Sequence, residues 1–211
     1  MRMSGNHNAA CTQNGGWYKT SVMSAATVSY THLDVYKRQE HYDRALAIYD
    51  PAEHRPLTTR SSRDVGVTLL SVRSGCLHML GYPAASRNDS ERAVHEARQI
   101  GQAATLMYAL WLASWKRIYY GAYAEAQPLL DELAALADEK DATLFWKATE
   151  IAFRGALFAL TGKASDAVRA ITSGMTSLRS TGASLYEPWH LFHLAIAYAE
   201  LGQHDDARRC V

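Results

Sequence analysis

The chain has 211 residues, of which 48% are hydrophobic and 20% are charged, and its formal net charge is +1. These values are typical of an ordinary protein of one or two domains and give no electrostatic reason to expect a nucleic-acid partner. The three cysteines are odd in number and widely spaced, which favours free thiols in a reducing compartment. No apolar run reaches the length of a membrane span and no signal-peptide core is present, so we expect a cytoplasmic protein.

The first 39 residues differ from the rest of the chain. Residues 1–27 are rich in Ser, Asn, Thr and Gly and show no helical or strand periodicity, which predicts disorder. Residues 28–39, VSYTHLDVYKRQ, resemble the translated adapter sequence that contaminates some assembled reads. We therefore expect 1–39 to be a disordered or artefactual segment outside the fold. A divergent N-terminal cap is the alternative.

From residue 40 onward the chain repeats. Gly81, Gly121, Gly162 and Gly202 lie 40, 41 and 40 residues apart, each after a long apolar stretch. A period of this size predicts a solenoid of stacked helix pairs. We expect one domain over 40–211, read as a fragment because its last repeat stops partway into its second helix. The register divides this domain into a half-repeat 40–63, repeats 64–101, 102–141 and 142–182, and a truncated repeat 183–211.

Small residues recur five positions after each turn. They are Ala45 (counted from Glu40), Ser86, Ala126, Ala167 and Ala207. Small side chains let the two helices of a pair approach closely.

This arrangement of glycine, aromatic and alanine resembles the tetratricopeptide repeat, and Gly121, Tyr123 and Ala126 are its best copy. The period exceeds the usual value of about 34 residues. Long-helix tetratricopeptide-like repeats of bacterial signalling ATPases have such a period. We therefore expect an all-α fold, a right-handed α-solenoid of antiparallel helix pairs.

Three stretches resemble a more specific family. Residues 43–55 (DRALAIYDPAEHR), 103–110 (AATLMYAL) and 160–167 (LTGKASDA) are similar to the C-terminal helical region of bacterial multidomain class III adenylate cyclases. Such proteins join a cyclase domain, an AAA-type ATPase module and a tetratricopeptide-like tail. The resemblance covers only part of that tail and neither catalytic part. It implies a chain that is not an enzyme, with no catalytic residue and no cofactor.

Two motifs are candidates for a phosphate-binding or metal-binding site. Gly162-Lys163 lacks the glycine-rich cradle of a phosphate-binding loop, so we interpret it as a helix–helix turn. His190 and His193 lie three residues apart on a predicted helix and supply two ligands where a metal needs three or four. We expect both histidines on a helix surface, and no metal site.

Aromatic residues are the better functional candidates. Tyr108, Trp111 and Trp115 follow helical spacing, and Trp189 and Phe192 occupy aligned positions in the last repeat. In such solenoids the first helix of each pair lines the concave surface, where aromatic side chains can anchor a partner. The alternative is that they fill the core between repeats.

The sequence thus predicts a non-catalytic interaction or regulatory arm of a bacterial signalling protein. Its partner would be a protein or peptide, or the missing domains of its own parent chain. A second hypothesis is a small-molecule sensor that uses an aromatic pocket with a few polar groups such as Thr149 or His78.

Overall fold

A computed structural model describes residues 35–58, 62–140 and 142–210. The segment predicted to be disordered and the first residues of the adapter-like string lie outside these ranges. The helix that the repeat register places after Glu40 begins earlier, at Val35. The side chain of Val35 packs against a cluster in which Tyr42 and Ala45 of this helix meet Val65, Leu69 and Cys76 of the next long helix.

The described part of the chain folds into α-helices and contains no strand. The helices are α1 (Val35–Ile48), α2 (Pro51–His54), α3 (Val65–Met79), α4 (Pro83–Ile100), α5 (Ala103–Tyr119), α6 (Tyr123–Glu139), α7 (Leu144–Leu160), α8 (Ala164–Ser180), α9 (Glu187–Glu200) and α10 (His204–Arg209), with a 3-10 turn (Arg55–Leu57) after α2. From α3 onward consecutive helices form pairs, and each pair packs against the next. The prediction of an all-α solenoid of helix pairs is confirmed.

The turn within each pair has one geometry. At the end of α5, Gly121 adopts φ 70° and its N–H donates to the Ile118 carbonyl at 3.0 Å. The next N–H, of Ala122, reaches back to the Arg117 carbonyl at 2.8 Å. This is a Schellman helix end, in which glycine is favoured because a side chain is strained at positive φ. Gly81, Gly162 and Gly202 also have positive φ. The glycines that recur in the sequence therefore mark the same backbone conformation at the turn of each pair.

Small residues set the distance between paired helices, most tightly at α7 and α8. A Cβ built on Gly155 would lie 2.8 Å from the Ile171 backbone nitrogen, and one on Gly174 would lie 2.7 Å from that of Ala152. Ala126 and Ala167 are fully buried at the corresponding crossings, whereas Ala207 is half-buried. Because these residues have no large side chain, the backbones of the paired helices lie in contact.

Ion pairs join the outer faces of neighbouring repeats. Arg87 and Arg98 of α4 contact Glu125 (2.7 Å) and Glu132 (2.5 Å) of α6. Glu125 and Glu132 on the outer face of α6 are thus both paired with the preceding repeat. Exposed pairs of this kind contribute about 0–1 kcal/mol each, so the stacking of repeats rests on the apolar core. None of the helices described is long and apolar enough to cross a membrane.

The α7–α8 contact gives a test of this packing. We expect Gly174→Ala to lower the free energy of unfolding by about 1–3 kcal/mol, because the added methyl meets backbone atoms that cannot move aside. Gly75→Ala in α3 is the matched control, because a Cβ added there would meet no atom within 4 Å. This substitution should raise the free energy of unfolding by about 0.5–1 kcal/mol. Urea unfolding followed by circular dichroism measures both. Equal effects of the two substitutions would contradict the packing described.

Candidate functional site

An aromatic cluster centred on Trp111 joins three repeats. The Trp111 ring makes edge-to-face contacts, with centroid distances between 5.1 and 6.2 Å, to Tyr108, Phe145, Trp146, Phe153 and Tyr186. Edge-to-face geometry is favoured because the positive edge of one ring meets the negative face of another. The cluster therefore ties α5 to α7 and to the segment that precedes α9.

The five predicted partner-binding residues lie in different environments. Tyr108 and Trp111 are buried, at 6% and 7% exposure, and Trp115 is half-buried with its ring 5.7 Å from that of Tyr186. Trp189 is half-buried and stacks on Phe153 at 4.5 Å. Phe192 is 58% exposed. The structure thus brings four of the five into or against the cluster and leaves Phe192 outside it.

One side of the cluster opens into a groove of about 340 Å³, here called the interaction groove. It lies mainly across α1, α3 and α5 and reaches Phe145 of α7. Its lining is Arg38, Tyr42, Arg63, Ser71, Val72, Gly75, Cys76, Met79, Tyr108, Trp111, Leu112, Trp115, Phe145 and Tyr186. Met79 is 60% exposed, and the Arg63 guanidinium lies over the Tyr108 ring at 4.2 Å. The groove therefore combines apolar and aromatic walls with a charged rim.

On the other side of Trp111 lies a smaller space of about 120 Å³, here called the inner cavity. It lies between α5, α7, α8, the segment between α8 and α9, and the start of α9. Its lining is Trp111, Phe145, Thr149, Phe153, Met175, Leu178, Arg179, Ala183, Leu185, Tyr186, Glu187 and His190. Trp111, Phe145 and Tyr186 line both spaces.

Four buried polar atoms that have no hydrogen-bond partner belong to residues that line the inner cavity. They are Thr149 Oγ1, Trp111 Nε1 and both ring nitrogens of His190. The expectation that His190 and His193 lie on a helix surface is wrong: they are 1% and 4% exposed, because α9 packs against both α7 and α8. Burial, together with the nearby His193, lowers the pKa of His190 to about 4, so its imidazole is neutral at pH 7.

His190, Phe145 and Phe153 are not among the residues that the sequence predicts to bind a partner. A local signal does exist, since Phe145, Thr149 and Phe153 are four residues apart and so share one face of α7. This spacing puts a hydroxyl between two aromatic rings. His78, the other polar group weighed with Thr149, lies against Tyr119 and Tyr120 instead, with ring centroids 5.9 and 4.7 Å away.

The remaining candidates for chemistry are structural. Gly162 and Lys163 form the turn between α7 and α8, with the Lys163 ammonium 5.4 Å from the Phe158 ring. Among the residues described, no three His, Cys, Asp or Glu side chains converge on a point where a metal could bind. Cys76 is a buried free thiol, and burial raises its pKa.

Lys116 is a buried amine at the α3–α5 contact. Burial, with the adjacent Arg117 charge, lowers the pKa of Lys116 to about 7. Amine nucleophiles need such a pKa, but they also need access to a substrate. Lys116 is 3% exposed, lines neither space, and donates to the Ser71 carbonyl at 2.9 Å. It therefore serves the packing of α5 against α3.

This lysine predicts a pH dependence of stability. The folded-state pKa lies below the value of about 10.4 for a free lysine. The unfolded chain thus binds more protons between about pH 7 and 10, and Lys116 makes stability rise with pH there, by up to about 1.4 kcal/mol per unit. Lys116→Met should remove this rise, as measured by urea unfolding at a series of pH values.

Comparison of wild type with the variant separates Lys116 from Cys76, whose raised pKa makes stability fall, not rise, as the pH becomes alkaline. Lys140→Met, at a half-exposed side chain paired with Glu139, is the control and should leave the pH profile unchanged. A profile that is the same for wild type and Lys116→Met would show that the buried amine is not the titrating group.

The fold and the two spaces define a tetratricopeptide-like helical-repeat protein with an aromatic interior. The structure is similar to the crystal structure of the apo form of RapI, with a TM-score of 0.65 over 92% of this chain and 67% of RapI. The two sequences are 12% identical, so the likeness concerns the fold. No protein-family profile matches the chain, and no curated protein matches it.

Proposed function

We propose that the chain is a non-catalytic binding arm that holds a protein or peptide in the interaction groove. The observation that carries this proposal is the groove itself. It presents apolar and aromatic side chains from α1, α3 and α5, with Met79 exposed and Trp115 half-buried at its surface. Large aromatic side chains supply much of the affinity at protein interfaces when a partner desolvates them.

The shape of the groove indicates how a partner would act. Since it crosses α1, α3 and α5, an occupant would contact more than one repeat at once. Each repeat of a solenoid is positioned mainly by its neighbours. Binding across several repeats would therefore fix their relative orientation. We propose that this change in orientation is how the arm signals that its groove holds a partner.

The resemblance of residues 43–55, 103–110 and 160–167 to adenylate cyclase tails supports a finer proposal. The chain would be part of the C-terminal region of a cytoplasmic bacterial adenylate cyclase or signalling ATPase, and the groove would receive a protein partner or another domain of the same parent. Determining the genomic reading frame upstream of codon 40 tests this parentage. A frame that continues without a cyclase or ATPase module would contradict it.

Peptide selection tests the groove. We expect the full chain, immobilised, to enrich peptides rich in apolar residues from a random displayed library. Met79→Lys should weaken binding of the selected peptides by about tenfold or more, because it places a charge where an apolar side chain must dock. Fluorescence polarisation of synthetic copies of these peptides gives the affinities.

Tyr82→Lys is the matched control. Tyr82 is 54% exposed, almost as much as Met79, but it lies in the turn before α4 and does not line the groove. The same new residue at this position should leave peptide affinity unchanged. Failure to enrich any peptide, or equal loss in both variants, would contradict binding in the groove. Phe192→Ala, measured in parallel, shows whether the exposed aromatic of α9 extends the binding surface.

A further inference from the structure

The inner cavity is a space that the surrounding helices cannot close. On one side the backbones of α7 and α8 are in contact at Gly155 and Gly174. On the other side the ring of Trp111 already meets that of Phe153 edge to face, with centroids 6.0 Å apart. Helices that are already in contact cannot move closer together, so the cavity of about 120 Å³ persists within an otherwise packed interior.

The segment between α8 and α9, which borders the cavity, is fixed at both ends. The N–H of Ala183 donates to the Leu178 carbonyl at 3.1 Å where α8 ends, and that of Glu187 donates to the Ser184 carbonyl at 3.0 Å where α9 begins. An ion pair of 2.5 Å between Arg179 and Glu187 joins the two ends. The segment is therefore held in place beside the cavity.

The wall of the cavity is aromatic and aliphatic. The rings of Trp111, Phe153 and Tyr186 lie with centroid distances of 5.1 to 6.0 Å between them. Met175 and Leu178 of α8 add aliphatic side chains. Such a wall gains dispersion contacts from an apolar molecule that fills the space, because atoms that border a void lack partners on one side.

Polar atoms contribute almost nothing to this wall. The Thr149 hydroxyl, the Trp111 indole nitrogen and the His190 ring nitrogens are themselves buried. Arg179 and Glu187, the charged residues of the lining, pair with each other. A charged or hydrogen-bonding molecule would therefore leave water without gaining a partner in the cavity, which is unfavourable.

Water is also a poor occupant of this space. A buried water molecule needs about two to four polar partners, whereas an apolar protein cavity stays dry. An engineered apolar cavity of about 150 Å³ in another protein binds benzene, and the inner cavity is only slightly smaller. Its size thus corresponds to that of one six-membered ring.

We infer that the inner cavity binds a small, uncharged and apolar molecule, about the size of one six-membered ring and without hydrogen-bonding groups. Burial of the apolar surface of the ligand is the driving force. Entry is at the segment between α8 and α9, where the lining residue Leu185 is 67% exposed. The site is distinct from the interaction groove, which lies on the other side of Trp111.

Two probes of nearly equal size and shape test this inference. Toluene is apolar, whereas phenol has a hydroxyl in place of the methyl group. We expect saturation-transfer NMR and calorimetry on the full chain to show that toluene binds about tenfold more tightly than phenol, since nothing in the wall replaces the bonds that the hydroxyl makes to water. Thr149→Val keeps the shape of the side chain and removes its hydroxyl, and it should leave both affinities unchanged.

Matched variants locate the site. Ala183→Leu adds bulk to the lining of the cavity and should abolish binding of toluene. Ala135→Leu makes the same change at an exposed position of α6 and should bind toluene as wild type does, as should Met79→Lys in the groove. Circular dichroism verifies the fold of each variant. If Ala183→Leu does not fold, a crystal of the wild-type chain under xenon pressure gives the location, because xenon enters apolar cavities.

Three outcomes would overturn the inference. One is the absence of toluene binding up to its limit of solubility. Another is phenol that binds as tightly as toluene and loses affinity in Thr149→Val, which would show a polar site. The third is toluene binding that a folded Ala183→Leu leaves unchanged, or xenon that binds only elsewhere. Xenon or toluene density enclosed by Trp111, Phe153 and Met175 would support the inference.

Discussion

The contact between the rings of Trp111 and Tyr186 is the interaction on which the shape of this protein depends. A solenoid repeat ordinarily contacts only the repeats beside it. Here Tyr186, at the entrance to α9, lies 5.1 Å from Trp111 of α5, across the whole intervening pair α7 and α8. This contact between second neighbours closes the array around a common aromatic interior. These two rings line both the groove and the inner cavity.

The helix pairs could be predicted from sequence because their determinants are local. A left-handed glycine such as Gly121, and a proline such as Pro83 in a first helical turn, act through the backbone of a few adjacent residues. The helices α3 and α4 both lie within the expected repeat 64–101. Pro128 is accommodated within α6, which starts at Tyr123 in spite of it. The start of α1 differs since Val35 is held by a tertiary contact.

The environments of the aromatic side chains, buried or exposed, could not be predicted in the same way. Helical spacing shows that Tyr108, Trp111 and Trp115 share a face of α5, but α5 contacts other helices on several sides. Whether a given face of α5 lines the groove or is buried in the interior depends on how the other repeats are arranged around it. His190 illustrates the point, because its burial follows from the crossing of α9 over α7 and not from the residues beside it. Long-range geometry of this kind leaves no local signal.

The two spaces are physically linked by the rings that separate them. Trp111, Phe145 and Tyr186 form walls of both the groove and the inner cavity. Packed interiors have little free volume, so a ring that turns to admit a molecule on one side changes the surface on the other. The shared wall thus couples the volume of the inner cavity to the shape of the groove.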